Sequence, residues 1–71
     1  MQLGDAVWID PARMSGAPCF RGTRIPVSHL FDWIDDGVPL DDFISEFEVN
    51  RDAALAVLRY GRRVTNLTTL P

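Results

Sequence analysis

"RGTRIPV", residues 21–27, is the stretch that decides the fold, because it separates two kinds of sequence pattern. Pro26 keeps the residue before it extended and cannot donate a ladder hydrogen bond, so a β-strand should stop there. Ser28 then follows in a position suited to capping a helix. We interpret the stretch as the joint between a β ribbon and a group of helices.

This joint predicts structural roles for Gly22, Thr23, Arg24 and Pro26. The glycine is expected to supply a positive φ or a close backbone approach, and the threonine hydroxyl to bond to nearby backbone. A phosphate-binding loop is disfavoured, because no lysine and helix start follow the glycines. Residues 27–48 hold seven acids and no cation, so we expect Arg24 to pair with a helical carboxylate, Asp42 being the first choice.

Before the joint, residues 5–9 and 18–25 are short apolar or β-branched runs separated by turn residues. They predict two strands of a ribbon over residues 1–27. Two strands alone are barely stable in water, so the ribbon should pack on helices or dimerise with a second copy's ribbon.

After the joint, apolar residues recur at i, i+3, i+4 and i+7 in three successive segments. The spacing predicts helices over 28–36, 40–47 and 50–62, with Gly37 ending the first helix and Asn50 capping the third. The predicted fold is mainly α, a single domain with a short N-terminal β ribbon, a three-helix, helix-turn-helix-like (winged-helix-like) unit over 28–63 and a tail over 64–71.

The length and composition bound the function. A chain of 71 residues forms one marginal core, so a partner subunit is expected. It has no long apolar run and no secretory signal pattern, which predicts a cytoplasmic protein. One cysteine and one histidine cannot build a structural zinc site, so we expect no metal and no cofactor. No nucleophile and base are organised for catalysis, so we expect that the protein is not an enzyme.

The charge is divided along the chain. After the acidic segment, residues from 50 onward hold four arginines and one acid. Projected as a helix, Arg51, Leu55, Arg59 and Arg62 form one stripe with Arg63 beside it. The candidates for DNA contact are Asn50, Arg51, Arg59, Arg62 and Arg63. Alternatively, these arginines pair with the chain's own acids or with a partner's carboxylates.

The second predicted helix opposes simple DNA binding. The first helix of a helix-turn-helix pair crosses the phosphate backbone, yet this one carries Asp41, Asp42 and Glu46 and no cation. Such an acidic surface suggests a basic partner, although a solvated face also explains it.

Three segments, "SGAPCFRGTRIPVSHLFDWIDDG", "PLDDFISEF" and "VNRDAALAVLRY", resemble the domain-of-unknown-function 433 (DUF433) family of small bacterial VapB-like antitoxins. The resemblance implies a β ribbon and a trihelical unit, usually dimeric. It also implies a partner, a PIN-like ribonuclease toxin encoded beside the antitoxin, and by analogy repression of the operon. Two positions depart from the family pattern. Pro39 replaces a capping serine or threonine, and Glu48 replaces a common proline.

The resemblance makes neutralisation of such a toxin in a type II toxin–antitoxin system the leading hypothesis. The toxin's basic RNA-binding cleft would be covered by the first two helices, or by the ribbon and tail. The toxin-binding candidates are Asp32, Asp35, Asp36, Asp41, Asp42 and Glu46. The alternatives are a DNA-binding regulator without a toxin partner and a structural dimerisation module.

Overall fold

The computed structural model describes residues 1–12 and 16–68, and it confirms a mainly α fold with a short N-terminal β ribbon. The elements in chain order are α1 (Leu3–Ala6), β1 (Val7–Trp8), β2 (Cys19–Phe20), α2 (Ser28–Asp35), α3 (Leu40–Phe47), α4 (Arg51–Tyr60) and a 3₁₀ helix (Arg62–Asn66). No helix in the described part is long and apolar enough to cross a membrane.

The ribbon is shorter than the sequence predicts. β1 pairs antiparallel with β2, Val7 opposite Phe20 and Trp8 opposite Cys19. Residues 3–6, partly predicted as strand, form one helical turn instead, and Ala6 is fully buried in the core. The apolar side chains of this turn pack against α4. The local β pattern of the sequence could not predict a contact with so distant a segment.

The prediction of a second strand over 18–25 is also wrong beyond Phe20, where β2 ends. The chain turns there and comes back beside β2, so that the Phe20 N–H donates to the Ile25 carbonyl oxygen at 3.0 Å. The Val27 N–H then donates to the Pro18 carbonyl oxygen at 2.9 Å, and Cys19 and Pro26 form an antiparallel bridge. Gly22 makes the turn possible with φ +78°, a conformation that disfavours residues with a Cβ. The joint is therefore a tight hairpin turn.

α2 and α3 end in different ways. After α2, Gly37 has φ +82°, and the Val38 N–H donates to the Trp33 carbonyl oxygen at 2.9 Å, as in a Schellman cap. α3 begins after Pro39 without a side-chain cap, as the sequence predicts. It ends at Glu48, which takes the left-handed conformation with φ 54° and ψ 38°.

α4 begins as predicted and ends earlier. The Asn50 side chain accepts a hydrogen bond from the Ala53 N–H at 3.1 Å and so caps the helix. The prediction of a helix to residue 62 is wrong, because Gly61, with φ +94°, breaks the α-helical path. A 3₁₀ helix follows and buries Val64 completely, so residues 64–66 are packed structure rather than a loose tail. Residues 69–71 of the predicted tail lie outside the described residues.

The core joins the ribbon to every helix. Phe43 on α3 is its centre, with its ring centroid 5.9 Å from that of Phe20, 5.7 Å from Trp33 and 4.9 Å from Phe47. Leu30, Val57 and Val64 complete it and are fully buried. Aromatic pairs at these separations add to the stabilisation that area burial supplies.

Candidate functional site

Two arginines predicted to contact DNA form ion pairs with acids of the same chain. Arg51, the first residue of α4, pairs with Asp41 on α3, and Arg62 pairs with Asp35 at the end of α2. Both pairs are exposed, so each contributes little to the free energy of unfolding. This is the arrangement in which the arginines pair with the chain's own acids, one of the alternatives left open by the sequence.

The Arg62 pair is the more organised of the two. The Arg62 guanidinium uses both terminal nitrogens, and Nη1 donates to Asp35 Oδ2 at 3.1 Å. Its carbon lies 5.2 Å from the centroid of the Phe31 ring. The hydrogen bond and the negative charge of Asp35 raise the pKa of the Arg62 side chain. Arg62 is thereby held against α2.

The predicted stripe of arginines along one helix does not form. Arg62 and Arg63 follow Gly61, so they belong to the 3₁₀ helix and not to α4. Arg63 lies over the Tyr60 ring, 5.4 Å from its centroid. Of the predicted stripe, only Arg51 and Arg59 remain as cations of α4.

α4 offers little surface to a DNA groove. Its exposed residues are Arg51, Asp52 and Arg59, while the others are buried or half-buried. A recognition helix needs several free side chains at base edges. Here the Asn50 side-chain oxygen caps the helix and Arg51 is paired with Asp41. Among the described residues, Arg59 and Arg63 have no carboxylate partner.

The acids of α2 and α3 divide into paired and unpaired groups. Asp35 and Asp41 are bound by arginines. The remaining toxin-binding candidates are exposed and form no ion pair within residues 1–12 and 16–68, and we call them the unpaired acids: Asp32, Asp36, Asp42 and Glu46. The last two lie four residues apart on α3 and therefore share one side of that helix.

The expected ion pair between Arg24 and Asp42 is absent, and this prediction is wrong. Arg24 is exposed, and no ion pair involves it in the described part of the chain. On α3 it is Asp41 that forms an ion pair, with Arg51 of α4.

Arg21, which the sequence did not single out, anchors the turn. Its Nε and Nη2 donate to the Gly4 carbonyl oxygen at 3.1 and 2.7 Å, and Nη2 also donates to the Val7 carbonyl oxygen at 3.2 Å. No sequence pattern predicts these bonds, because their acceptors are backbone oxygens, of Gly4 in α1 and Val7 in β1.

Local hydrogen bonds hold the rest of the turn. The Thr23 hydroxyl donates to the Phe20 carbonyl oxygen at 2.8 Å and accepts from the Ile25 N–H at 3.1 Å, the local bonding expected of this residue. The Trp8 indole Nε1–H donates to the Thr23 carbonyl oxygen at 2.9 Å. Apart from Arg24, the polar side chains of "RGTR" are thus hydrogen-bonded within the protein.

Two open clefts lie on the surface. A groove of about 530 Å³ runs between the N-terminal residues 1–4 and three residues of α4, Ala56, Arg59 and Tyr60. A smaller, more polar cleft of about 370 Å³ lies between α2 and the 3₁₀ helix and includes Asp32 and Arg63. In the described part of the chain, no three His, Cys, Asp or Glu side chains are grouped as a metal site.

Ser28, His29 and Asp32 are close together in the sequence, but they are not organised as a catalytic triad. His29 is exposed, and its ring centroid lies 6.3 Å from that of Phe47. No hydrogen bond joins Ser28, His29 and Asp32.

A comparison with family models finds one described as "Protein of unknown function (DUF433)", which matches residues 7–61. This span begins at β1 and ends at Gly61, so it contains the ribbon and α2, α3 and α4. No curated protein and no solved structure matches the chain.

Proposed function

We propose, from the premise that this chain belongs to the DUF433 family, that it is an antitoxin which binds and neutralises a PIN-like ribonuclease. The observation that carries the proposal is the set of unpaired acids on α2 and α3. They lie in a segment with seven acids and no cation, and among the described residues Asp35 and Asp41 are the acids of this segment that form ion pairs with arginines. The surface of these two helices remains negative after the internal pairs are formed.

A ribonuclease has to attract the phosphates of RNA, so its substrate cleft is basic. Exposed carboxylates can take the place of those phosphates and thereby exclude the substrate. Charge attraction of this kind accelerates association and makes it sensitive to salt. The acids Asp42 and Glu46 are suited to this role because they share a side of α3 and form no ion pair with any residue that the structure describes.

Coexpression with the ribonuclease encoded in the neighbouring reading frame tests the proposal. The wild-type chain is expected to copurify with it, to restore growth and to inhibit cleavage of a labelled RNA. The double variant Asp42→Asn/Glu46→Gln should bind at least about tenfold more weakly, a loss of about 1.4 kcal/mol or more.

The matched control is Asp5→Asn/Asp52→Asn, which removes the same charge from exposed positions outside α2 and α3. It should bind like the wild type if the position of the charge matters. An equal loss of affinity in both variants would mean that binding depends on the net charge of the chain and not on the position of the acids. Failure of the wild type to copurify and to restore growth would contradict the proposal.

Repression of its own operon is a second candidate role, favoured by the three-residue connection between α3 and α4 and by Arg59 and Arg63, which have no carboxylate partner among the described residues. Gel-shift affinity for the upstream DNA should then fall steeply as salt rises. Arg63→Ala should weaken binding more than Arg62→Ala, because Arg62 is already paired with Asp35. A gel-shift affinity that changes neither with the salt concentration nor with either substitution would contradict specific DNA binding. A module for dimerisation alone would bind neither toxin nor DNA.

A further inference from the structure

Arg62 occupies one of the acids of α2 in the free chain. Its guanidinium donates to both carboxylate oxygens of Asp35. It also lies over the Phe31 ring, with 5.2 Å between Cζ and the ring centroid. Both contacts suit a guanidinium, because its planar fork matches a carboxylate and its charge is attracted to the face of an aromatic ring. The chain itself therefore shows which chemical group α2 binds at this point.

The Arg62 side chain can leave Asp35 without unfolding the segment that carries it. The two side chains are 60% and 55% exposed, so water can replace the lost contact, and an exposed ion pair holds its partners weakly. The backbone of the 3₁₀ helix is fixed separately by Val64, which is fully buried in the core. Release of Arg62 is thus a movement of one side chain.

A cleft gives an incoming cation access to this ion pair. The cleft of about 370 Å³ between α2 and the 3₁₀ helix is lined by Phe31, Asp32 and Arg62, among other residues. Asp32 lies three residues before Asp35, on the same side of α2, and forms no ion pair with any described residue. A guanidinium that binds Asp32 is therefore beside Asp35 before Arg62 has left.

We propose that Arg62 is an internal competitor, which covers Asp35 and the Phe31 ring in the free chain and is displaced by an arginine of the basic partner. The inference rests on the proposed function for the existence of that partner, and it adds an autoinhibitory contact at the same acidic surface. The incoming guanidinium restores the contacts that Arg62 gives up, whereas an ammonium lacks the planar fork. The exchange therefore selects arginine over lysine.

A fluorescein-labelled hexa-arginine peptide tests the competition without the ribonuclease. Fluorescence anisotropy at low salt should show that Arg62→Ala binds the peptide about two- to fivefold more tightly than the matched control Arg63→Ala does. Both variants lose one exposed cation from the same 3₁₀ helix, but Arg63 has no carboxylate partner among the described residues. A hexa-lysine peptide should distinguish the two variants less.

Removing the acid shows whether the gain in affinity arises at Asp35. Asp35→Asn should weaken peptide binding more in the Arg62→Ala background than in the wild type, where Arg62 already covers the carboxylate. Asp36→Asn changes the neighbouring exposed acid, which no arginine of the described residues covers. It should weaken binding by the same factor in both backgrounds. Circular dichroism should give the wild-type spectrum for every variant.

NMR follows the displacement in the wild type, so this readout does not depend on how any variant folds. The Nε–H signal of Arg62 in ¹⁵N-labelled protein should move as unlabelled hexa-arginine is added. The Nε–H signal of Arg21, which donates to the Gly4 carbonyl oxygen, should stay in place. An Arg62 signal that stays in place while the peptide binds would contradict the displacement.

Three further results would overturn the inference. Equal affinities of Arg62→Ala and Arg63→Ala for the peptide would mean that Arg62 covers nothing that the peptide uses. A gain that persists after Asp35→Asn would arise at another acid. A peptide that binds neither the wild type nor Arg62→Ala would mean that α2 offers no receptor for a guanidinium. The proposed function fails on a different result, a wild type that neither copurifies with the ribonuclease nor restores growth.

Discussion

The guanidinium of Arg21 donates two hydrogen bonds to the single carbonyl oxygen of Gly4, at 3.1 and 2.7 Å. This contact connects the hairpin turn at residues 21–24 to the helical turn α1, and α1 in turn packs against α4. The link between ribbon and helices is thus made by an arginine and the backbone, whereas the sequence suggested an ion pair between two side chains.

Replacing Arg21 tests that link. Arg21→Ala should lower the free energy of unfolding by about 1–2 kcal/mol, because it removes charge-assisted bonds to two backbone oxygens. Arg21→Lys should recover only part of the loss, since an ammonium lacks the planar fork. Urea titration measures both. The matched control, Arg24→Ala, removes an exposed arginine from the same turn and should change stability by less than about 0.5 kcal/mol.

Among the residues that the structure describes, Glu48 at the end of α3 is the only non-glycine residue with a positive φ, 54°. Glu48→Gly should therefore raise the free energy of unfolding by about 0.5–1 kcal/mol, because glycine adopts the left-handed conformation without a Cβ clash. Glu46→Gly, inside the same helix, should instead lower it by about 1 kcal/mol. The thermal midpoints of the two variants should move in opposite directions. Equal shifts would mean that the conformation at residue 48 stores no strain.

Asn50 caps α4 through the Ala53 N–H. Asn50→Ala should lower the free energy of unfolding by about 1 kcal/mol, since the first turn of α4 loses a partner for one of its N–H groups. Asn50→Asp keeps a capping oxygen and should stay close to wild type. Hydrogen exchange of the Ala53 amide measures the cap separately from global stability, and unchanged protection in the alanine variant would contradict its role.

Burial raises the pKa of the Cys19 thiol above its ordinary value of 9.0. The folded state therefore holds this proton more tightly than the unfolded state does. Its contribution to stability is complete below the unfolded pKa and is lost as the pH rises through the folded pKa. Wild type should lose stability relative to Cys19→Ala once the pH exceeds about 9. Chemical denaturation of both proteins across this pH range measures their free energies of unfolding. If the two free energies change with pH in parallel, the raised pKa of the Cys19 thiol is contradicted.

The helices were predictable because their signals are local. The apolar spacing of Leu40, Phe43, Ile44 and Phe47 gave α3 its bounds, and Asn50 marked the start of α4. The end of α4 was missed because helical spacing continues through residue 61, while the glycine there adopts φ +94°. Periodicity records which faces are apolar, and it does not record where the backbone leaves the helical path.

The ribbon and the surface charges were harder to predict, because they depend on contacts between distant residues. The apolar run at 18–25 reads as one strand, but the chain reverses within it when Trp8 and Arg21 bind backbone oxygens of other segments. The acidic and basic segments were evident from composition. Which acid meets which arginine depended on the approach of α4 to α3 and of the 3₁₀ helix to α2.

The packing of α1 against α4 also determines when the chain can fold during its synthesis on the ribosome. Leu3–Ala6 are synthesised well before their partner Arg51–Tyr60, because α2 and α3 lie between them in the chain. Contacts between such distant segments form only after the intervening chain has been closed into a loop. Until α4 has left the exit tunnel, the apolar side chains of α1 lack the helix against which they pack. The contact between α1 and α4 therefore forms only after the whole segment from α1 to α4 has been synthesised.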